Sequence, residues 1–338
     1  MRGTEILRRG QMLAIALVVG ALALGISAPS RAAAAAATTH HTWHVTVGVQ
    51  TSGGSISGMI FTPSDIFVHR GDTVVWTVGA KEIHTVAFGN PPADTDNEAG
   101  EGITSPIDNA FEELIEQFAA PAGGASFDGV SYHNSGIMTT VPAASGFPQA
   151  IQQYSLQINA PVGTYNFYCL VHGPMMSQNV HVIADSQAYP FNQEQYNDQA
   201  EHQRDHVFAQ GRRAIDQTED HLASHTVSVG SSVDSGQADI MRFIHTNTTI
   251  EVGESVTFNN TTFGPHTVTI GKEQGTFGQY GNLNSVHLGD NVSSGVFGMA
   301  FGHPSVTFRF MQPGVYHYYC MLHDYEGMVG TITVRADD

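Results

Sequence analysis

The feature that most constrains the fold of this chain is an internal repeat that covers most of its length. Gly71–His84, with the sequence GDTVVWTVGAKEIH, recurs as GESVTFNNTTFGPH in Gly253–His266, and the glycine and the histidine are thirteen residues apart in both. Further along, GTYNFYCLVH in Gly163–His172 matches GVYHYYCMLH in Gly314–His323. Because the matches keep the same order in both halves, they indicate a tandem duplication of one domain.

The repeated segments have the composition of short β-strands. Val74–Val78 and Ser255–Phe258 are rich in β-branched and aromatic residues and follow Gly-Asp or Gly-Glu turns. Val180–Ile183 and Thr331–Val334 close the two halves in the same way. Many short strands between Gly and Pro turns, without β-α-β alternation, predict an all-β protein of two tandem Greek-key β-sandwich domains.

The repeat also predicts where the domains begin and end. The first domain is expected at residues 42–185 and the second at 224–338. An insertion at about 90–150 separates the repeats of the first domain, and its residues 105–118 have a helical pattern after a capping Ser and a Pro. Residues 186–223 are polar and are predicted to be a surface linker, helical around 193–208.

The N-terminus has the pattern of an export signal. Arg2, Arg8 and Arg9 precede an apolar run from Met12 to Ile26, and small residues with A-x-A sites continue to Ala37. This run is short for a membrane span, so residues 1–37 are predicted to be a cleaved signal peptide, with an uncleaved anchor as the alternative. The mature chain is then expected outside the cytoplasm, in a periplasm, outside the cell or on its surface, without a membrane span.

Each half ends in a Cys-x-x-His motif that a methionine follows within a few residues. In the second half these residues are Cys320, His323 and Met328, and His266 closes the earlier repeat. Two imidazoles, a thiolate and a thioether form a soft donor set, and His₂Cys with a weak axial Met is the blue-copper arrangement. The second half is therefore predicted to hold one type 1 copper ion.

The first half offers the same donor types at corresponding positions, namely His84, Cys169, His172 and the adjacent Met175 and Met176. Its spacing from His to Met is shorter than in the second half. When the closing strands are aligned, Met176 falls opposite Met328, so Met176 is the predicted axial ligand and Met175 the open alternative. A second type 1 copper ion is expected there.

Two other uses of these residues compete with copper. Two cysteines in an exported chain first suggest a disulfide, but a bridge between Cys169 and Cys320 leaves the duplicated His and Met positions unexplained. Zinc binds His and Cys as well, but a thioether adds little for zinc. The complete donor set therefore favours copper over both alternatives.

The second half resembles the plastocyanin/azurin (cupredoxin) family. Residues 263–268 (FGPHTV) are similar to the loop of the family's first ligand, and residues 318–330 (YYCMLHDYEGMVG) to the loop of its last ligands. The resemblance implies that Cys320 is the short thiolate ligand and Met328 the axial ligand. It also implies two imidazole ligands, His266 and His323, of which His323 is the edge through which electrons pass. The first half departs from the pattern because its early histidine lacks the Gly-Pro approach.

These observations predict an electron carrier rather than an enzyme. The chain would cycle between Cu(I) and Cu(II) and exchange electrons with protein partners, through two sites that act in series or independently. A net charge of −18 disfavours nucleic acid and anionic membranes and favours a partner with a basic docking surface.

Two other function classes stay open. A two-domain copper oxidoreductase, similar to nitrite reductases or laccases, needs more His ligands, and the chain has no His-x-His pair and no His beside either cysteine. Such an enzyme would have to build its extra copper site at a subunit interface. Copper storage or delivery also fits the soft ligands, although the chain has no Met-rich segment.

Overall fold

A computed structural model describes residues 39–90, 120–233, 235–262 and 264–336. The predicted signal peptide and the predicted helix at 105–118 lie outside these residues. The described part of the chain is built almost entirely from short β-strands, in two sets that follow one another along the sequence.

The first set of strands forms a β-sandwich with its two sheets packed face to face. Its strands are β1 (Thr42–Gln50), β2 (Ser57–Thr62), β3 (Asp65–His69), β4 (Thr73–Gly79), β5 (Ala87–Phe88), β6 (Ser126–Phe127), β7 (His133–Asn134), β8 (Gln153–Ile158), β9 (Gly163–Cys169) and β10 (Gly173–Ile183). One sheet has the order β2-β1-β4-β8-β6 and the other β3-β10-β9-β5-β7. Strand β1 runs parallel to β4, and β3 runs parallel to β10.

The second set repeats this arrangement. Its strands are β11 (Thr226–Val229), β12 (Ala238–Asp239), β13 (Phe243–Ile244), β14 (Asn247–Glu251), β15 (Ser255–Asn259), β16 (Thr269–Ile270), β17 (Val292–Ser293), β18 (Ser305–Arg309), β19 (Gly314–Tyr319) and β20 (Val329–Arg335). The sheets are β13-β11-β15-β18 and β14-β20-β19-β16-β17. The parallel pairs β11–β15 and β14–β20 stand where β1–β4 and β3–β10 stand in the first set. The predicted fold class, all-β with two tandem sandwiches, is confirmed.

Alternation along the strands explains why two sheets close around each core. In β20, every second residue is buried, ending with Ile332 and Val334, and the residues between them face outward. The first core contains Trp76 and the second contains Phe258, both fully buried. The cysteines and the predicted axial methionines belong to the same buried clusters, so each ligand set is held by a packed core.

The segment between the sandwiches holds a longer helix than the sequence predicted. Helix α1 spans Gln193–His221, whereas the prediction ended it near residue 208. It begins with a capping box in which Asn192 accepts from the N–H of Gln195 and the Gln195 side chain accepts from the N–H of Asn192. Within the described residues, no helix is both long and apolar enough to cross a membrane.

The helix also buries one face, a feature that the prediction of a polar surface linker did not include. Val207, Gly211 and Ile215 are four residues apart, share one side of α1 and are buried. A Cβ at Gly211 would lie 2.5 Å from Ile56 Cγ2, so the helix backbone packs directly on the first sandwich. The prediction missed this face because the glycine and a few apolar residues form a narrow stripe in a polar sequence.

One hydrophobic cluster joins the helix to both sandwiches. Its buried members are Val49, Ile56, Ile60, Val207, Ile215, Ala238, Ile240 and Ile244. Beside it, β12 of the second set pairs antiparallel with β2 and extends a sheet of the first set. The described residues from His40 onward consequently form one compact unit.

Candidate metal centres

The second sandwich brings three predicted ligands to one buried point. Cys320 directly follows β19, His323 starts the short 3-10 turn Asp324–Glu326, and His266 lies on a loop that bridges to Phe297. His266 Nδ1 is 3.0 Å from His323 Nδ1, and Cys320 Sγ is 3.8 Å and 3.5 Å from these two atoms. All three side chains are buried, so the donors face one another rather than water.

Backbone hydrogen bonds hold the second candidate site in shape. The N–H of Thr267 donates to Cys320 Sγ at 3.4 Å, and its hydroxyl accepts from the N–H of Met321 at 2.8 Å. The N–H of Cys320 donates to the carbonyl of Met328 at 3.1 Å, which holds the backbone of the buried Met328 next to that of Cys320. Hydrogen bonds therefore hold the ligand loop both at Cys320 and at Met328. A site held rigid in this way suits repeated redox change, because its ligands need not rearrange.

The first sandwich brings its three predicted ligands together in a similar way. His84 Nδ1 is 3.2 Å from His172 Nδ1, and Cys169 Sγ is 3.4 Å from His172 Nδ1. Thr85 takes the place of Thr267, because its N–H donates to Cys169 Sγ at 3.4 Å and its hydroxyl accepts from the N–H of Leu170 at 2.8 Å. In each sandwich the three donor atoms lie within 4.8 Å of one another.

Strand register favours Met176 over Met175 as the fourth residue of the first site. Ser177 pairs with Tyr168, just before Cys169, and Val329 pairs with Tyr319, just before Cys320. The residues that precede Ser177 and Val329, Met176 and Met328, therefore occupy equivalent positions, and both are fully buried. Met175 is 52% exposed and its sulfur lies against Gly236.

The cysteines do not pair with each other. Both thiols are free, and each is buried in the core of its own sandwich. The structure thus contradicts the alternative of a disulfide between the domains. A pair of metal sites, as predicted from the sequence, therefore still explains why the His and Met positions are duplicated.

Burial sets the protonation of the donors in a way that fits a soft metal ion. Burial lowers the pKa of His266 to about 3 and that of His172 to about 4, and it lowers the pKa values of His84 and His323 as well. Burial raises the pKa of Cys320 to about 11. At neutral pH the pocket therefore holds neutral imidazoles and a thiol, with no fixed charge that would repel a cation. This donor set, closed from water, fits copper.

A glycine lies next to each early histidine, and neither glycine was predicted to be part of a site. A Cβ at Gly48 would lie 2.1 Å from His84 Nε2, and one at Gly230 would lie 3.1 Å from His266 Nε2. Both glycines have a positive φ, +65° and +75°, which glycine adopts without strain. The backbone can therefore pass directly beside each ring. A shared Val-x-Val-Gly pattern, at 45–48 and 227–230, was the signal that could have revealed them.

Glu82 is a further residue that the sequence did not single out. It is a buried acid two residues before His84, and it lies between the two metal sites, close to His172 and His323. Burial and the neighbouring Glu326 raise its pKa well above the usual range of a carboxyl group. Spacing along the chain gives no hint of this position, because His172 and His323 lie far from residue 82 in the sequence.

One protein-family model matches part of the chain. Residues 229–335 match the sequence model of a family described as copper binding proteins, plastocyanin/azurin family. The match begins at the end of β11 and ends with β20, so it covers the second sandwich. No curated protein sequence matches the chain.

Solved structures of small copper proteins are similar to parts of the chain. Oxidised plastocyanin from Dryopteris crassirhizoma is 22% identical over 32% of this chain and 99% of its own, with a TM-score of 0.22. A mutant of amicyanin in the Cu(I) form is 17% identical over 35% of this chain and 89% of its own, with a TM-score of 0.23.

Proposed function

We propose that the chain is an exported electron carrier with two type 1 copper sites, and the match of residues 229–335 to the model of the plastocyanin/azurin family of copper-binding proteins supports this proposal. The observation that carries the proposal is the duplicated set of two Nδ1 atoms and one Sγ, with a buried methionine at the same register position in each sandwich. The ligands are His84, Cys169, His172 and Met176 in the first site and His266, Cys320, His323 and Met328 in the second.

Copper in such a site supplies a one-electron Cu(I)/Cu(II) couple. The protein's part is to hold the donors in one geometry that suits both oxidation states. The threonines that bond each cysteine sulfur and the strand pair that fixes each methionine serve this purpose. The dense cores behind the ligands resist rearrangement, which keeps electron transfer fast.

The acidic net charge supports a basic redox partner, and the N-terminal pattern supports export. A net charge of −18 attracts a partner with a basic docking surface and repels nucleic acid. Arg residues before an apolar run and several A-x-A sites support export of the mature chain. The proposed partners are redox proteins outside the cytoplasm that give or take one electron.

The test is a visible and EPR spectrum of the purified mature protein together with a copper count per chain. Two coppers, intense blue absorption and narrow hyperfine splitting from both are expected. A copper-loaded protein that is colourless would overturn the proposal. An additional type 2 signal would instead favour a copper oxidoreductase, and assays of nitrite and oxygen reduction would then be decisive.

Copper binding is expected to release one proton at each site near neutral pH. The imidazoles are already neutral because their pKa values are lowered, whereas the thiols are protonated because burial raises the pKa values of Cys169 and Cys320. Each Cu(II) must displace the thiol proton to bind the thiolate. Titration of the metal-free protein with Cu(II) in weak buffer, with a pH indicator, should show two protons per chain. Release of none would mean that the thiolates exist before copper binds.

Replacing Met176 by Leu is expected to raise the reduction potential of the first site and leave copper bound. The two imidazoles and the thiolate hold the ion, and loss of the weak axial thioether disfavours Cu(II) more than Cu(I). Met175→Leu is the matched control and should leave the potential unchanged, because Met175 points away toward Gly236. Redox titration followed by visible absorption measures both. A shift in the control alone would reassign the axial ligand to Met175.

A further inference from the structure

The late histidines of the two sites approach different oxygens of the same carboxyl group, that of Glu82. Glu82 Oε1 is 3.8 Å from His172 Nε2, and Glu82 Oε2 is 3.7 Å from His323 Nε2. In each ring Nδ1 faces the other predicted metal ligands, so Nε2 lies at the outer edge of the site. The outer edges of both sites therefore meet at Glu82.

Contacts between the sandwiches hold Glu82 in this position. The loop that carries it is anchored in the first sandwich, because the N–H of Lys81 donates to Gln50 Oε1 at 3.1 Å and Thr139 donates to the Lys81 carbonyl at 2.6 Å. Lys81 Nζ then reaches across to the carbonyl of Tyr325 at 3.2 Å, in the turn that follows His323.

A second connection runs through Glu326, in the same turn. The amide of Gln50 donates to a carboxylate oxygen of Glu326, and the Ser57 hydroxyl donates to that oxygen at 3.5 Å. Both donors belong to the first sandwich, so the turn of the second site rests on strands β1 and β2. These contacts fix the distance between Glu82 and His323 without involving any metal ligand directly.

Because these two edges face each other, the late histidine of each site is shielded from contact with another protein. The side chains of His172, His323 and Glu82 are 14%, 7% and 5% exposed. An external protein can touch neither imidazole over a useful area. Each late histidine instead faces the other sandwich of its own chain.

The pairing of donors and acceptors also points to a shared role for Glu82. A metal-bound histidine commonly donates its other ring N–H to a carboxylate, which fixes the ring's tautomer and orientation. Here one carboxyl group presents one oxygen to each ring, and a ring N–H could donate to it after a shift of several tenths of an ångström from the present 3.8 Å and 3.7 Å. Glu82 Oε2 is buried and accepts no hydrogen bond from the described residues, whereas the proton that the raised pKa keeps on this carboxyl group bonds to the neighbouring Glu326. An unpaired buried acceptor is unfavourable, and an N–H at Nε2 of a metal-bound His323 would be a donor for this oxygen.

We propose that Glu82 is a bridging residue that holds His172 and His323 edge to edge, so that one electron passes between the two sites within a single chain. The inference rests on the proposed function and deepens it, because it makes the sites a relay in series rather than two independent carriers. The step is balanced without a further reactant: the electron that leaves the reduced site enters the oxidised site. Glu82 acts through the two histidines and is a positioning residue.

The experiment starts from the fully oxidised two-copper protein and delivers less than one electron per chain by pulse radiolysis. The absorption of the two sites is then followed at several protein concentrations. A relay predicts that electron exchange between the sites is first order and independent of concentration. Exchange whose rate rises in proportion to protein concentration would overturn the relay, while blue copper in both sites would leave the proposed function standing.

Glu82→Gln tests the bridging residue itself. The amide keeps the shape of the carboxylate but can accept only one of the two N–H groups, so exchange is expected to slow by roughly tenfold or more. Both reduction potentials are also expected to shift, including that of the second site, which lies in another part of the sequence. A purely structural role in the loop before His84 would move the first site alone.

Glu273→Gln is the matched control, since it removes an exposed carboxylate from the second sandwich by the same substitution. It should leave the exchange rate unchanged. An unchanged rate in a Glu82→Gln protein that holds both coppers would exclude the bridge. Loss of copper from both sites in that variant would support shared positioning, whereas loss from the first site alone would argue for a local structural role. Absence of blue copper in the parent protein would instead count against the proposed function.

Discussion

Replacing Cys320 by Ser is expected to remove the second copper site and about half of the blue absorption, because the thiolate is the ligand that defines a blue-copper centre. The first site should keep its copper, since its ligands come from the other sandwich and its thiol lies in a separate core. Cys169→Ser should give the reciprocal result. Visible absorption, EPR and a copper count per chain measure both variants.

Each cysteine variant is the control for the other, because both remove one buried sulfur from equivalent positions. The double variant should be colourless. If Cys320→Ser removed the signals of both sites from a folded protein, loading of the two sites would depend on each other, contrary to this prediction. If neither variant changed the spectrum, the cysteines would not be copper ligands.

Gly48→Ala is expected to disable the first site although Gly48 supplies no ligand. A Cβ there would lie 2.1 Å from His84 Nε2, so the ring of His84 must move away from its place in the ligand cluster. The left-handed backbone at φ +65° adds about 1 kcal/mol of strain for a residue with a side chain. Displacing a ligand ring in this way should weaken copper binding at the first site by on the order of 100-fold. Competition with a copper chelator, read from the spectrum of each site, measures the loss.

Gly124→Ala separates the contact with His84 from the backbone strain. Gly124 also has a positive φ, +70°, but a Cβ there would meet nothing within 4 Å. This control should lower the stability of the first sandwich slightly and leave both copper affinities unchanged. Equal losses of affinity in the two variants would show that strain, rather than the position of His84, explains the effect.

The chemistry of each site could be predicted from the sequence because it depends on residue types at short spacing. Cys320 and His323 lie on one loop, and such a motif brings its donors together whatever surrounds it. The alternation of buried residues in strands such as β20 is equally local, and it predicts a sandwich without knowledge of the partner strands. Because the chain is duplicated, the same His, Cys and Met donors could be predicted for the first half.

The axial ligand of the first site shows where this local information ends. Met175 and Met176 are adjacent, and the loop between His and Met differs in length from that of the second site. The register of β10 against β9 distinguishes them, because it leaves Met176 in the core and turns Met175 outward. Register depends on hydrogen bonds between strands, which no motif within one strand specifies.

The sandwich fold, the duplication and the candidate donor residues could be predicted from the sequence, because periodicity and spacing are properties of neighbouring residues. What lies between the two candidate sites depends on the tertiary structure. Glu82 meets His323 only because α1 and the β12–β2 pair join the sandwiches in one arrangement. Contacts between residues so far apart in the sequence depend on how whole helices and strands pack. Such packing leaves no local sequence pattern, so the approach of the two sites could not be predicted from the sequence.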